Sequence, residues 1–263
     1  MGKKGRLTPD SWGRVMPVHN PLNEGGPWTY RGTEVVMVEF ATDADAVLDI
    51  LPSDLELQEP AAGFMVIETN HWTTLGRYSE VYVGFMCTWQ GEPHAYVPGV
   101  YVTGEASQIL GREVFGFGKK QADRIEVITH GDGSVEAAMD VKPGDGALRA
   151  YLKPAKNEPK EALAAVPLIC LKVIPDAEGG APSLAQLVSV TFAGEPVVGS
   201  DGTAEVYSGS GSMQFGAPSD VSFPITAMGG CLYSHFSTVL PFGKVLKTYS
   251  KDELGDHLVP VEA

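Results

Sequence analysis

Two adjacent lysines, Lys119 and Lys120, follow the apolar, glycine-rich run Gly111-Arg112-Glu113-Val114-Phe115-Gly116-Phe117-Gly118. An ammonium is costly to desolvate, so such neighbours favour the neutral amine, and a second ammonium alongside pushes the same way. A neutral lysine amine condenses with a ketone to form a Schiff base, whose iminium draws electrons from the adjacent bond. Two phosphate-binding readings fail on the same residues. A P-loop needs glycine at 113 and Ser or Thr at 120, where Glu113 and Lys120 stand; Gln121 occupies the third glycine position of a dinucleotide fingerprint. Most lysine pairs lie on solvated surfaces, so the segment alone marks a candidate and no more.

The elements that must position this pair read as short strands. Thirty-one glycines and nineteen prolines, spread at close intervals, favour many strands over long helices. Strand patterns occupy 33–40, 63–68, 80–88, 96–103, 124–129, 134–140, 147–152, 169–174, 187–192, 203–207 and 212–215. Asp43 caps a short helix that Pro52 stops, and residues 105–110 form a helical turn. Residues 1–30, with Pro17, Pro21 and Pro27, read as an irregular arm. The expected fold is mainly β, an antiparallel barrel or cone with a few short helices. No linker divides the 263 residues, so they are read as one domain.

The formal net charge of −14 argues against a nucleic-acid partner and an anionic membrane surface. It leaves room for a small anionic substrate, because a pocket can be locally positive. Cys87, Cys170 and Cys231 each lie in an apolar run and read as small buried hydrophobes of a reducing, cytoplasmic setting. His71, His94 and His235 lack metal-ligand spacing, so no metal is expected. The basic N-terminus is followed by no apolar segment, against a secretory signal, and Arg6 stands where a myristoylation motif needs Ser or Thr. The apolar run 162–171 is broken by Pro167 and too short for a bilayer. Lys251-Asp252-Glu253-Leu254 spells a retention signal, but nine residues follow it, so the match is read as chance.

Five stretches together resemble the acetoacetate decarboxylase family. They are residues 41–46, 55–60 (Leu-Glu-Leu-Gln-Glu-Pro), 75–80 (Leu-Gly-Arg-Tyr-Ser-Glu), Gly111-Arg112-Glu113 with Gly118-Lys119-Lys120, and Leu171-Lys172-Val173-Ile174-Pro175. The resemblance covers about the first two thirds of the chain. It implies that Lys119 forms the Schiff base and that Glu80 shuttles a proton or orients the iminium. It implies no organic cofactor, since the lysine itself is the electron sink, and it implies a homo-oligomer. If the lysine segment is extended, Lys119 and Lys120 point to opposite faces, and Lys120 acts on the pKa of Lys119. Tyr82, two residues beyond Glu80, shares its strand face and is expected to donate or accept a proton. Phe117 is expected at the substrate.

Departures from the family bear on the reaction. The arginine that its decarboxylases carry near the first strand aligns with Thr33; Arg31, two residues away on the same face of a strand, is expected to substitute. A second pocket glutamate aligns with Met65, and the proline before the lysines is Gly118. A retained lysine in a changed pocket favours a pyruvate aldolase-dehydratase: an enamine forms, adds to an aldehyde and loses water. The alternatives are decarboxylation of acetoacetate or a bulkier β-keto acid, and a non-catalytic barrel that binds a small ligand.

Overall fold

The computed structural model describes residues 2–22, 25–163 and 165–254. Met1, Asn23 and Glu24 of the expected arm, Ala164 of the apolar run and the last nine residues of the chain lie outside them. Among the described residues, sixteen strands join one sheet. They are β1 (Trp28–Ala41), β2 (Glu56–Leu57), β3 (Ala62–Thr73), β4 (Tyr78–Trp89), β5 (Glu92–Tyr96), β6 (Val100–Val102), β7 (Lys119–Gln121) and β8 (Arg124–Thr129), then β9 (Val135–Asp140), β10 (Leu148–Asn157), β11 (Leu168–Ile174), β12 (Leu184–Val190), β13 (Glu195–Pro196), β14 (Val206–Gln214), β15 (Ala227–Leu240) and β16 (Lys244–Thr248). The helices that matter for the site are short. α1 (Ala44–Leu48) starts at Asp43, whose carboxylate accepts from the Asp45 amide, and α2 (Glu105–Leu110) runs directly into a π turn, Gly111–Phe115.

The main path of the sheet runs β16-β12-β11-β5-β4-β3-β1-β15-β14-β10-β9-β8. Its pairings are antiparallel except for β11 against β5, and off the path β6 pairs with β7 in parallel. The β8–β10 end curls back over β1, β3 and β4. Val36, Val38, Met65, Ile67, Val83 and Phe85 thereby share one core with Met139, Leu148 and Leu152. A second core lies on the other face of the same strands, around Tyr30, Tyr78, Val100, Val102, Phe115 and Phe117. Strands between two cores must be apolar on both faces, which is why β4 is buried along nearly its whole length. The fold is thus the mainly-β, cone-like barrel that the strand pattern predicts.

Several boundaries differ from the sequence reading. The strand expected at 96–103 divides into β5 and β6 around Pro98 and Gly99, and the two expected at 203–207 and 212–215 are one, β14. β15 and β16 were not foreseen. β15 carries Gly229-Gly230 and few consecutive apolar residues, so its pattern is weak, yet it pairs with β1 along almost its full length. The three cysteines are buried and free. Among the described residues no helix is long and apolar enough to cross a membrane.

Candidate active site

The second core contains a small polar centre. β6 is the spacer that builds it: Val102 pairs with Glu80 on one side, and Val100 pairs with Lys119 on the other. Lys119 is only 6% exposed. Its Nζ donates to Glu80 Oε2 at 2.5 Å and to Ser107 Oγ, on α2, at 2.9 Å. The rings of Phe117 and Tyr78 lie 5.6 and 5.7 Å from the same nitrogen. Gln108 and Arg112 donate to the Lys119 carbonyl and tie β7 to α2 and the π turn. Gly111 is required by contact: a Cβ there would fall 2.6 Å from Lys119 Cδ and Cε.

A second carboxylate faces the centre. Glu68 pairs directly with Glu80 across β3 and β4, and both line the cavity at Lys119. Burial, then the nearby Glu80 charge, raises the Glu68 carboxyl from its ordinary 4.5 to about 7; the Asn70 amide and the Lys119 charge pull the other way. Asn70 Nδ2 donates to Glu68 Oε1 at 2.8 Å, and Asn70 Oδ1 accepts from Thr33 Oγ1 at 2.8 Å. Thr33 and Asn70 are fully buried. The chain Thr33–Asn70–Glu68 therefore fixes one face of the second carboxylate.

Tyr30 and Tyr78 complete the wall, with Tyr78 Oη donating to Tyr30 Oη at 3.1 Å. Burial raises both phenols well above their usual value, so they remain protonated donors. The enclosed space is about 20 Å³, room for about one water. Leu110, the last residue of α2, and Phe115, the last of the π turn, line it as well.

The structure brings together Lys119, Glu80 and Phe117, and it moves the other expected residues. Arg31 is exposed, because β1 bulges against β15 between Tyr30 and Thr33 with Gly32 at φ +59°. The bulge breaks the alternation on which the same-face reading rested, and it is Tyr30 that turns inward. Thr33 contacts Asn70 and does not line the cavity. Met65 is fully buried in the opposite core, between Val38 and Val83; the substrate contact expected of it is corrected. Tyr82 packs edge-on to Phe64, outside the cavity wall. Burial and the two glutamates raise its phenol well above the ordinary value, so it keeps its proton.

Lys119 and Lys120 do point to opposite faces. Lys120 lies 59% exposed, 2.6 Å from Asp220, and that contact raises its own pKa. A charge so paired and solvated has little reach, so the tuning role expected of it is corrected. Glu68, Ser107, Tyr30 and Tyr78 were not foreseen. Tyr78 was within reach, two residues before Glu80 on one strand face. Glu68 needs the β3–β4 register, which the sequence alone does not supply.

The acetoacetate decarboxylase family profile matches residues 15–250. Acetoacetate decarboxylase 3 of Mesorhizobium japonicum is 27% identical over 176 residues, 66% of this chain and 68% of that protein. Among solved structures, acetoacetate decarboxylase from Legionella pneumophila superposes with a TM-score of 0.77 at 23% identity, covering 95% of this chain and 99% of that one. The enduracididine biosynthesis enzyme MppR, complexed with pyruvate, superposes with a TM-score of 0.73 at 22% identity, covering 90% and 98%. At these identities the structural likeness is one of fold.

Proposed function

The chain belongs to the acetoacetate decarboxylase family and is a lyase, and we propose that it decarboxylates a β-keto acid through a Schiff base on Lys119. The observation that carries this reading is the pair of facing carboxylates around one buried lysine. Lys119 Nζ gives a proton to Glu80 and attacks the ketone. The carbinolamine takes that proton on its hydroxyl, loses water and becomes the iminium. The bond to the substrate carboxylate then breaks, its electrons enter the iminium, and carbon dioxide and an enamine result. Glu68, protonated up to about pH 7, supplies the proton to the enamine carbon. Water returns to the iminium and releases the ketone and the free lysine.

Electrostatics favour this branch over the aldol one. Glu68 fills the role whose apparent loss at Met65 pointed toward aldol chemistry. Among the described residues, Lys119 is the only cation that lines the cavity, and its charge is lost when the iminium becomes the enamine. A pyruvate carboxylate kept through an aldol cycle would then sit beside the Glu80 carboxylate without a counter-ion. A β-keto acid sheds that charge as neutral carbon dioxide, so like-charge repulsion assists the bond that must break. Aldol addition with dehydration is the second reading, favoured by pyruvate bound in MppR.

Incubation with acetoacetate and with pyruvate, each followed by borohydride, distinguishes the two. Carbon dioxide release from acetoacetate with a trapped adduct supports decarboxylation. A pyruvate adduct with no carbon dioxide from any β-keto acid supports the aldol branch.

A further inference from the structure

A second cavity, of about 590 Å³, opens outside the Lys119 centre. The N-terminal arm supplies Trp12, Arg14 and Leu22; β1 supplies Trp28, and Phe242 follows β15. Leu110 lines both cavities, and the Trp28 ring packs edge-on to Phe115, 5.8 Å between centroids. The two spaces thus share Leu110 as a wall and are joined by one aromatic contact.

Its walls are unusual for a surface. Trp12, Leu22 and Phe242 are 53, 43 and 46% exposed. Large apolar side chains gathered at one mouth and left in water mark a binding surface. The Arg14 guanidinium lies 5.4 Å from the Phe242 ring centroid, which puts a positive charge at the entrance of a protein whose net charge is −14. An incoming anion is drawn there. The inner cavity, by contrast, has room for about one water while Leu110 stays in place, too little for a keto acid with its substituent.

We propose that this vestibule holds the substituent of the keto substrate, so that the preferred substrate is a β-keto acid bearing a large alkyl or aryl group on its ketone. The substituent displaces Leu110 outward and lies between Trp12, Trp28 and Phe242. Its ketone reaches Lys119, and its carboxylate is left inside, beside Glu68 and Glu80. This rests on the Schiff-base reading above.

The test is a substrate series on the full chain: acetoacetate, 3-oxohexanoate, 3-oxooctanoate and benzoylacetate. Carbon dioxide release is read as kcat/KM, together with borohydride trapping on Lys119. Each added methylene should raise kcat/KM about fourfold, the value of burying one such group. In the Trp12→Ala/Leu22→Ala double variant, the ratio of 3-oxooctanoate to acetoacetate should fall about tenfold. A ratio that is flat in the wild type, or unchanged in the double variant, overturns the proposal. If no acid of the series traps on Lys119, the Schiff-base reading fails instead. The vestibule is then judged by quenching of tryptophan emission: octanoate binding more tightly than butanoate supports it, and equal binding overturns it.

Discussion

Glu68 and Glu80 face each other as a directly opposed pair of the β3–β4 ladder, with Lys119 Nζ 2.5 Å from Glu80. Two like charges in that position destabilise a sheet. The site accommodates them by dividing their protonation: Glu80 takes the lysine contact, and Glu68 keeps its proton up to about pH 7. An acid and a base are thereby held side by side at one nucleophile, which is what Schiff-base formation and enamine protonation require.

Glu68→Gln separates the two roles. With Glu68 acting as the acid, kcat/KM in the wild type should fall above about pH 7. The variant should lose that limb and about a hundredfold or more in kcat. Stability moves in the opposite sense. The folded value of about 7 lies above the ordinary 4.5, so Glu68 contributes stability that is complete below pH 4.5 and lost as pH rises through 7. Melting curves of the two proteins should nearly coincide at pH 4.5, with the variant gaining on the wild type by pH 8.

Asn70→Ala should move the same limb upward. The Asn70 amide stabilises the charged form of Glu68, so its removal lets the proton stay to higher pH. Thr33→Val, which leaves Asn70 Oδ1 buried without its donor, should cost about 1–3 kcal/mol of stability and slow turnover through Glu68 without any direct contact with substrate. A pH–rate profile beside a denaturant titration checks both.

Gly111→Ala places a methyl group against the Lys119 stem. The lysine must shift away from Glu80 and Ser107. Overpacking should cost about 1–3 kcal/mol, and a displaced nucleophile about a hundredfold in kcat.

Lys120→Ala should change kcat/KM by less than about twofold, because the charge it removes is solvated and paired with Asp220. A larger loss, with an altered pH profile, would restore Lys120 as the group that tunes Lys119.

The sequence made the lysine, Glu80 and Phe117 legible because each belongs to a short motif read along the chain. The strand pattern likewise gave the core of β1, β3, β4, β8 and β9, where apolar runs are dense. What stayed hidden depends on register and irregularity. Glu68 becomes a pocket residue only once β3 and β4 are aligned. Arg31 turns outward only because of the bulge at Gly32. β15, with Gly229 and Gly230 among small and polar residues, is held as a strand by β1 more than by its own pattern. The arm shows no period of its own, and only the fold brings Trp12 and Leu22 to one cavity wall with Phe242.

The most direct test of the account is borohydride reduction in the presence of a β-keto acid, followed by intact mass and peptide mapping. The account predicts one adduct, carried by Lys119, and none in Lys119→Ala, whose carbon dioxide release falls by about a thousandfold or more. Carbon dioxide release that persists in Lys119→Ala, or an adduct mapped to another lysine, would contradict it.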